Sequence, residues 1–150
     1  MSKIKSFRGK LADGAQEQIS LQTNNGLTGY KIVKFEIMSQ EPYGGGSGEH
    51  LMQIWSIEQT PASITGDVDF SDQTLLGSAI SNNSTSGYDN PNVTTVIFDN
   101  ITFNQDIYVT HHDGQSSLAC NYHIELEQMP LTLDEQTVAT LKDIRNIKGR

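Results

Sequence analysis

The stretch that decides the fold lies between residues 106 and 127 and reads DIYVTHHDGQSSLACNYHIELE. Before its centre, Ile107 and Val109 alternate with polar residues, and after it Cys120 and Tyr122 do the same. A period of two is typical of β-strands that bury one face. The stretch therefore predicts two strands, each with an apolar and a polar side.

A short turn between these strands predicts a hairpin. Gly114-Gln115 suits a two-residue type II′ loop, because glycine comes first. That loop sets Ile107 opposite Tyr122 and brings the two apolar faces together. It also places Asp106 opposite His123 on the polar face.

The same alternation continues outward along the chain. It predicts strands at 30–38, 50–58 and 93–98, and another around Val68 to Phe70. A three-residue loop at Asp13-Gly14-Ala15 predicts a first hairpin, with Phe7 opposite Leu21. About eight strands separated by turn signals indicate a mainly β protein, an antiparallel β-sandwich of jelly-roll-like type.

Two helices are expected within this β-rich pattern. Ser71 is a candidate N-cap for a short internal helix that runs through Ile80. Near the end, Thr132 and Glu135 form a capping-box pattern, which predicts a C-terminal helix over 133–148.

Length and composition limit the class of protein. With 150 residues, the chain is long enough for one domain with its own core, so we predict a single domain over 1–150. Cys120 is the only cysteine, which excludes an internal disulfide. No apolar run approaches the roughly 18 residues of a membrane helix, and the first residues lack a secretion signal, so no membrane association is expected.

The charges are unevenly distributed. Residues 35–141 contain no Lys or Arg but carry eight Asp and seven Glu, whereas residues 1–34 and the last nine residues are net basic. Phosphate would be repelled by the acidic middle, which disfavours nucleic-acid binding. Two interpretations of the basic ends remain open: they pack near the acidic middle of the same subunit, or they hold the subunit onto an acidic neighbour.

The histidines do not form a convincing metal site. His111 and His112 are adjacent on a strand, so their side chains point to opposite faces. His123 shares a face with His112, but about 20 Å separates them in the expected register. Cys120 is predicted to point inward, where a thiol behaves as a small hydrophobic group. We therefore expect no catalytic residue, no metal and no cofactor, and predict that the protein is not an enzyme.

Some strand residues are apolar on the side away from the assigned core. These residues are Tyr30, Ile32, Met38, Met52 and Ile54. Since large exposed apolar patches are uncommon on monomers, either a helix of the same chain covers them or they form a subunit interface. The candidate protein interface adds the terminal basic residues, namely Lys3, Lys5, Arg8, Lys142, Arg145 and Lys148.

Several segments resemble a known class of protein. They are residues 2–14 (SKIKSFRGKLADG), 28–35 (TGYKIVKF), 97–100 with 104–109, and 137–146 (TVATLKDIRN). In overall texture they are similar to small virion structural proteins of marine tailed bacteriophages. The resemblance implies a capsid decoration or accessory protein, made in the host bacterial cytoplasm and assembled in many copies into the virion. It carries no catalytic or ligand motif.

Two functional hypotheses follow. The first is a non-enzymatic virion structural protein that forms homo-oligomers or docks on a capsid protein. The alternative is a phage adhesin module that binds carbohydrate through Tyr43 and Tyr88, because sugar recognition favours exposed aromatic rings beside amides.

Overall fold

The structure is a computed structural model that describes residues 3–21, 26–42, 48–83, 93–115 and 117–148, of which 142–148 are described as helical backbone. Within these ranges the elements are β1 (Lys3–Leu11), β2 (Gln16–Ile19), β3 (Thr28–Ser39), β4 (Gly48–Trp55), a 3-10 turn (Pro61–Ser63), β5 (Leu75–Asn83), β6 (Val93–Phe98), β7 (Ile107–Asp113), β8 (Cys120–Pro130) and α1 (Leu133–Lys148).

The strands form two antiparallel sheets. The three-stranded sheet has the order β1-β8-β3, and the five-stranded sheet has the order β2-β7-β4-β5-β6. In this order the first strand pairs with the eighth, the second with the seventh and the fourth with the fifth. These pairings are those of a jelly roll. β6 departs from that order because it pairs with β5. The place beside β3 is taken by Phe103, which forms an isolated bridge with Tyr30 of β3. The predicted mainly β sandwich with a C-terminal helix is confirmed.

Both predicted hairpins are wrong. β1 pairs with β8, where Phe7 lies opposite Ile124, and β2 pairs with β7. The turn at 12–15 therefore crosses between sheets, with Gly14 at φ +79° and its N–H bonded to the His111 carbonyl at 2.8 Å. Likewise, β7 and β8 belong to different sheets. Their apolar faces do meet, but across the core, which period-two alternation cannot distinguish from pairing side by side.

The polar pair expected in the second hairpin is wrong for the same reason. Asp106 accepts hydrogen bonds from Gln18 Nε2 and from the Leu21 N–H, both at 2.7 Å. His123 faces Glu125 instead, with 3.4 Å between Nε2 and Oε2.

A β-bulge corrects the assignment of faces in β3. The register against β8 shifts between Ile32 and Lys34, so Val33 is an extra residue. Because one inserted residue reverses the alternation, Tyr30 and Ile32 point to the same side as Phe35. Tyr30 and Ile32 are 3% and 2% exposed and belong to the core, so the prediction that they face away from it is wrong.

The faces of β4 were also assigned incorrectly. Met52 and Ile54 are fully buried in the core between the sheets. The opposite face is buried too, because the segment after β4 lies over it: Gln53 Nε2 donates to the Asp67 carbonyl at 3.2 Å. Because both faces are covered over residues 50–55, apolar residues occur on both, and alternation alone does not identify the core side.

The internal helix is wrong, because residues 75–83 form strand β5. Residues 68–70 are irregular rather than a strand. Ser71 bonds to Asp69 in a local turn, with its N–H 2.9 Å from Oδ1. Gly77 lies against β6, where an added Cβ would sit 2.9 Å from the Phe98 Cβ. The expected apolar spacing fits a helical period, but pairing with β4 and β6 overrides that local preference.

The C-terminal helix begins at the predicted capping box. The Thr132 N–H donates to Glu135 Oε1 at 3.1 Å, and the Glu135 N–H donates to Thr132 Oγ1 at 3.2 Å. One side of α1 is attached to the sandwich, where Asn104 Nδ2 donates to Thr140 Oγ1 at 3.0 Å. Across the described residues, no helix has the length and apolar character needed to cross a bilayer.

Candidate functional site

The apolar members of the predicted interface separate into two groups. Tyr30, Ile32, Met52 and Ile54 are core residues and present no surface to a partner. Met38 is 59% exposed and lies on the outer face of the three-stranded sheet. Of these five residues, Met38 alone offers apolar surface to a partner.

The basic N-terminus is part of the sandwich rather than a tail. Lys3, Lys5 and Arg8 lie in β1, which is paired with β8 along its whole length. Lys3 and Arg8 are exposed, and Lys5 is half-buried. In this register Lys3, Lys5 and Arg8 lie opposite Gln128, Leu126 and His123. The neighbouring carboxylates of β8 pair with lysines of β3, Glu127 with Lys31 at 3.3 Å and Glu125 with Lys34 at 3.9 Å, so both interpretations of the basic ends stay predictions.

The basic C-terminal residues lie on α1. Positions 142, 145 and 148 belong to its helical backbone, and the side chains of Lys142, Arg145 and Lys148 lie outside the described residues. Tyr43 and Tyr88, the candidate sugar-binding residues, also lie outside them.

The first surface feature is an apolar face of α1, which we call the helix face and define by Leu133, Val138 and Leu141. Their side chains are 71%, 66% and 55% exposed. Gln136 and Thr140 lie on the side that contacts the sandwich. Val138 and Leu141 lie about 100–160° around the helix from them and point away from the domain, whereas Leu133, seven residues before Thr140, is on the same side as Thr140 in the first turn.

The second surface feature is a depression on the outer face of the five-stranded sheet, which we call the outer hollow. It has a volume of about 360 Å³. Its exposed apolar lining consists of Val68, Phe70, Ile80 and Ile97. Acidic residues adjoin it: Glu49 is in its wall, and Asp67 and Asp69 are exposed beside two of its lining residues.

A histidine pair lies inside the sandwich, in the core between the two sheets. His50 Nδ1 and His111 Nε2 are 2.9 Å apart, and both side chains are fully buried. His111 Nδ1 lies 3.1 Å from the Ala12 carbonyl oxygen. His50 Nε2 is buried with no hydrogen-bond partner among the described residues. Burial lowers the pKa of both imidazoles, so both rings are neutral at pH 7.

Cys120 completes this cluster from the opposite sheet. One ligand atom from each of His50, His111 and Cys120 lies within 4.8 Å of the others. The prediction that Cys120 points inward is confirmed, since its side chain is fully buried. Burial raises the pKa of its thiol to about 12, so without a bound cation the sulfur is protonated and a poor nucleophile.

Sequence reasoning missed this cluster because it overlooked His50. His50 is an even number of residues from Met52 and Ile54 along β4, and His111 is two residues from Val109 along β7. Each histidine therefore shares the inward face of its strand with those residues. Their proximity depends on the pairing of β4 with β7, which local patterns do not reveal. His112 and His123 lie on the outer faces of different sheets, with Asp13 and Glu125 as their respective nearest carboxylates.

Comparison with known proteins adds no relative. No protein-family model matches the chain, and none of the curated proteins compared with it matches.

Proposed function

We propose that this protein is a non-enzymatic structural subunit that associates with further copies of itself, and that its setting is the virion of a tailed bacteriophage. The observation that carries the proposal is where the exposed apolar side chains lie. Of the ten large apolar side chains exposed among the described residues, seven belong to the helix face or the outer hollow. Such clustering is typical of protein-binding surfaces, whereas singly scattered apolar residues need no explanation.

The helix face needs a partner for energetic reasons. Most of the stability of a protein helix comes from packing its apolar side, not from helix propensity. Leu133, Val138 and Leu141 are exposed to solvent, and the contact of α1 with the sandwich includes polar groups such as Thr140. Burying one leucine against a partner contributes about 1.5–3 kcal/mol, so Leu133 and Leu141 would add substantial binding energy.

The outer hollow of a second copy suits this helix in its apolar lining and in its charge. Its lining of Val68, Phe70, Ile80 and Ile97 offers apolar contact to leucine and valine side chains. Its acidic surroundings, including Glu49, suit a helix whose last turns carry three basic residues in sequence. We therefore infer that α1 of one copy docks in the outer hollow of another.

This mode of contact also suits a component present in many copies. The helix face and the outer hollow are different surfaces, so the contact is heterologous. Heterologous contacts close into rings or extend into arrays. The sequence resemblance to small virion proteins supports a phage particle as the place where such an assembly forms.

The experiment measures mass in solution by light scattering over a range of protein concentrations. Wild type is expected to form oligomers that dissociate on dilution. Leu141→Asp on the helix face and Ile97→Asp in the outer hollow should each weaken association about 10- to 100-fold, since about 1.4 kcal/mol corresponds to a factor of ten. Both side chains are about half exposed, so neither change is expected to disturb the core.

Met38→Asp is the matched control. Met38 is as exposed as Leu141, but it lies on the outer face of the three-stranded sheet, away from both surfaces. A wild-type protein that stays monomeric at every concentration would contradict self-association. Oligomers disrupted by Met38→Asp but not by Leu141→Asp would contradict docking by the helix. Mass spectrometry of purified phage particles tests the virion setting, in which many copies per particle are expected.

A further inference from the structure

We propose that His50, His111 and Cys120 form a buried binding site for one thiophilic metal ion, and that Cu⁺ is its preferred occupant. One ligand atom from each residue lies within 4.8 Å of the others, and all three side chains are fully buried. Imidazole nitrogen and thiolate sulfur are donors that Cu⁺ and Zn²⁺ favour. This site is independent of the proposed assembly function.

The orientation of His111 suits a metal ligand. A backbone carbonyl only accepts hydrogen bonds, so the contact with Ala12 makes Nδ1 the protonated nitrogen. In a neutral ring, Nε2 then carries a lone pair, and it is directed at the cluster, 2.9 Å from His50 Nδ1. Metal-binding histidines commonly donate their other N–H to a backbone carbonyl or carboxylate, which fixes the tautomer.

His50 offers Nδ1 to the ion, because this nitrogen faces His111 Nε2. In the metal-free protein Nδ1 carries the proton that it donates to His111. Binding an ion through Nδ1 therefore moves that proton to Nε2, which is buried with no hydrogen-bond partner among the described residues.

The position of Cys120 lets one ion connect the two sheets. His50 and His111 lie on β4 and β7 of the five-stranded sheet, and Cys120 lies on β8 of the other. Donor atoms around one ion are about 3.3–3.7 Å apart, given metal–nitrogen and metal–sulfur distances of about 2.0 and 2.3 Å. The nitrogens at 2.9 Å thus need to separate by a few tenths of an ångström, and the widest separation in the cluster, up to 4.8 Å, needs to close by about 1 Å. The thiol proton of Cys120 leaves to solvent when the sulfur binds the ion.

Charge and ligand number favour Cu⁺ over Zn²⁺. Cu⁺ with one thiolate and two neutral imidazoles gives an uncharged centre, whereas Zn²⁺ with the same ligands leaves a buried positive charge, which is costly. Structural zinc sites are almost always four-coordinate. Within the described residues, the cluster offers three donors from His, Cys, Asp or Glu and no fourth.

The test uses full-length, metal-free protein under anaerobic, reducing conditions. Cu⁺ is supplied from a chromophoric chelator of known affinity, and we expect one Cu⁺ to bind per chain and to raise the melting temperature. His50→Ala and Cys120→Ala should each weaken binding at least about 100-fold, since even residues that only support a ligand change affinity 10- to 100-fold. His123→Ala, on an outer sheet face, is the matched control and should bind as wild type does.

Two further measurements keep the proposal testable if a variant folds poorly. Circular dichroism of each metal-free variant checks the fold, and X-ray absorption of copper-loaded wild type should show both sulfur and nitrogen ligands. Failure of wild type to bind one Cu⁺ per chain, or copper without a sulfur ligand, would overturn the site. Equal binding by a well-folded Cys120→Ala would do the same. Displacement of Cu⁺ by an equal concentration of Zn²⁺ would overturn the preference for copper.

Discussion

Asp113 is expected to be one of the most important single carboxylates for stability. It is 5% exposed, and its side chain accepts three backbone hydrogen bonds. Oδ1 accepts from the N–H groups of Glu49 and Gln115, each at 3.0 Å, and Oδ2 accepts from the N–H of Leu118 at 2.7 Å. These bonds tie β4 to the connection that leads from β7 into the other sheet.

Asp113→Asn should lower the free energy of unfolding by about 2–4 kcal/mol at pH 7. The amide oxygen retains two acceptor bonds in weaker, uncharged form, but the amide nitrogen faces the Leu118 N–H, donor against donor. An unpaired buried donor costs about 1–3 kcal/mol, and losing the charge weakens the remaining two bonds. Urea denaturation measures the change. Asp69→Asn is the control: the two hydrogen bonds from Ser71 to exposed Asp69 both go to Oδ1, which an amide oxygen can replace, so we expect a change within about 0.5 kcal/mol.

The pH dependence tests the same carboxylate independently. Burial alone would raise the pKa of Asp113, but the N–H donors of Gln115, Glu49 and Leu118 outweigh it and hold the pKa below the ordinary value of 3.8. As the pH falls below about 3.8, the unfolded carboxyl takes up a proton before the folded one, so stability is lost. The amide of the Asp113→Asn variant cannot titrate, so the difference between wild type and variant should shrink at acidic pH, by up to about 1.4 kcal/mol per pH unit. A destabilisation below about 0.5 kcal/mol, or one equal at pH 7 and pH 3, would refute this reasoning.

Two further predictions concern Tyr122 and Gly77. Tyr122 donates its hydroxyl proton to Glu17, and burial together with that carboxylate raises the pKa of the phenol. Above about pH 10 the unfolded tyrosine ionises while the folded one stays protonated, so the wild-type protein should lose stability as the pH rises. Tyr122→Phe should lose less stability over the same pH range in alkaline denaturation curves. Parallel curves for the two proteins would contradict this prediction. Gly77→Ala should destabilise the protein by about 1–3 kcal/mol in thermal or urea unfolding, because its Cβ would lie 2.9 Å from the Phe98 Cβ. Gly66→Ala is the control and should be tolerated, because its added Cβ would lie 3.5 Å from the nearest atom, on His112. Equal losses of stability for the two variants would show that the close packing of β5 on β6 does not cause the destabilisation.

Local signals in the sequence were sufficient for much of the secondary structure. The capping box predicted the start of α1 correctly because Thr132 and Glu135 satisfy each other's N–H groups without help from distant residues. The strands at 30–38, 50–58 and 93–98 were also predicted, because burying one or both faces requires apolar residues at set intervals. These features depend on neighbours within a few positions.

Strand pairing was not predictable in the same way. Residues with the same alternation pair side by side in a hairpin or face each other across a core, and Val109 and Cys120 do the latter. The bulge at Val33 reverses the faces of β3 without a glycine to signal it. The spacing of Leu75, Leu76 and Ala79 suits a helix, but the adjacent strands convert this segment into β5. Each error arose where a distant partner, not the local sequence, decided the conformation.

The same distinction explains why the two proposed sites escaped sequence analysis. The histidine–cysteine cluster needs β4 beside β7 and β8 in the facing sheet, so its members are neighbours only after the sandwich has formed. The capping box predicts the helix α1, but the sequence alone does not say which of its apolar side chains the sandwich covers. The bulge in β3 and the burial of both faces of β4 assign Tyr30, Ile32, Met52 and Ile54 to the core. Four of the five apolar strand residues expected to face away from the core are thus used in folding, and the exposed apolar side chains of the described residues lie mainly on α1 and in the outer hollow.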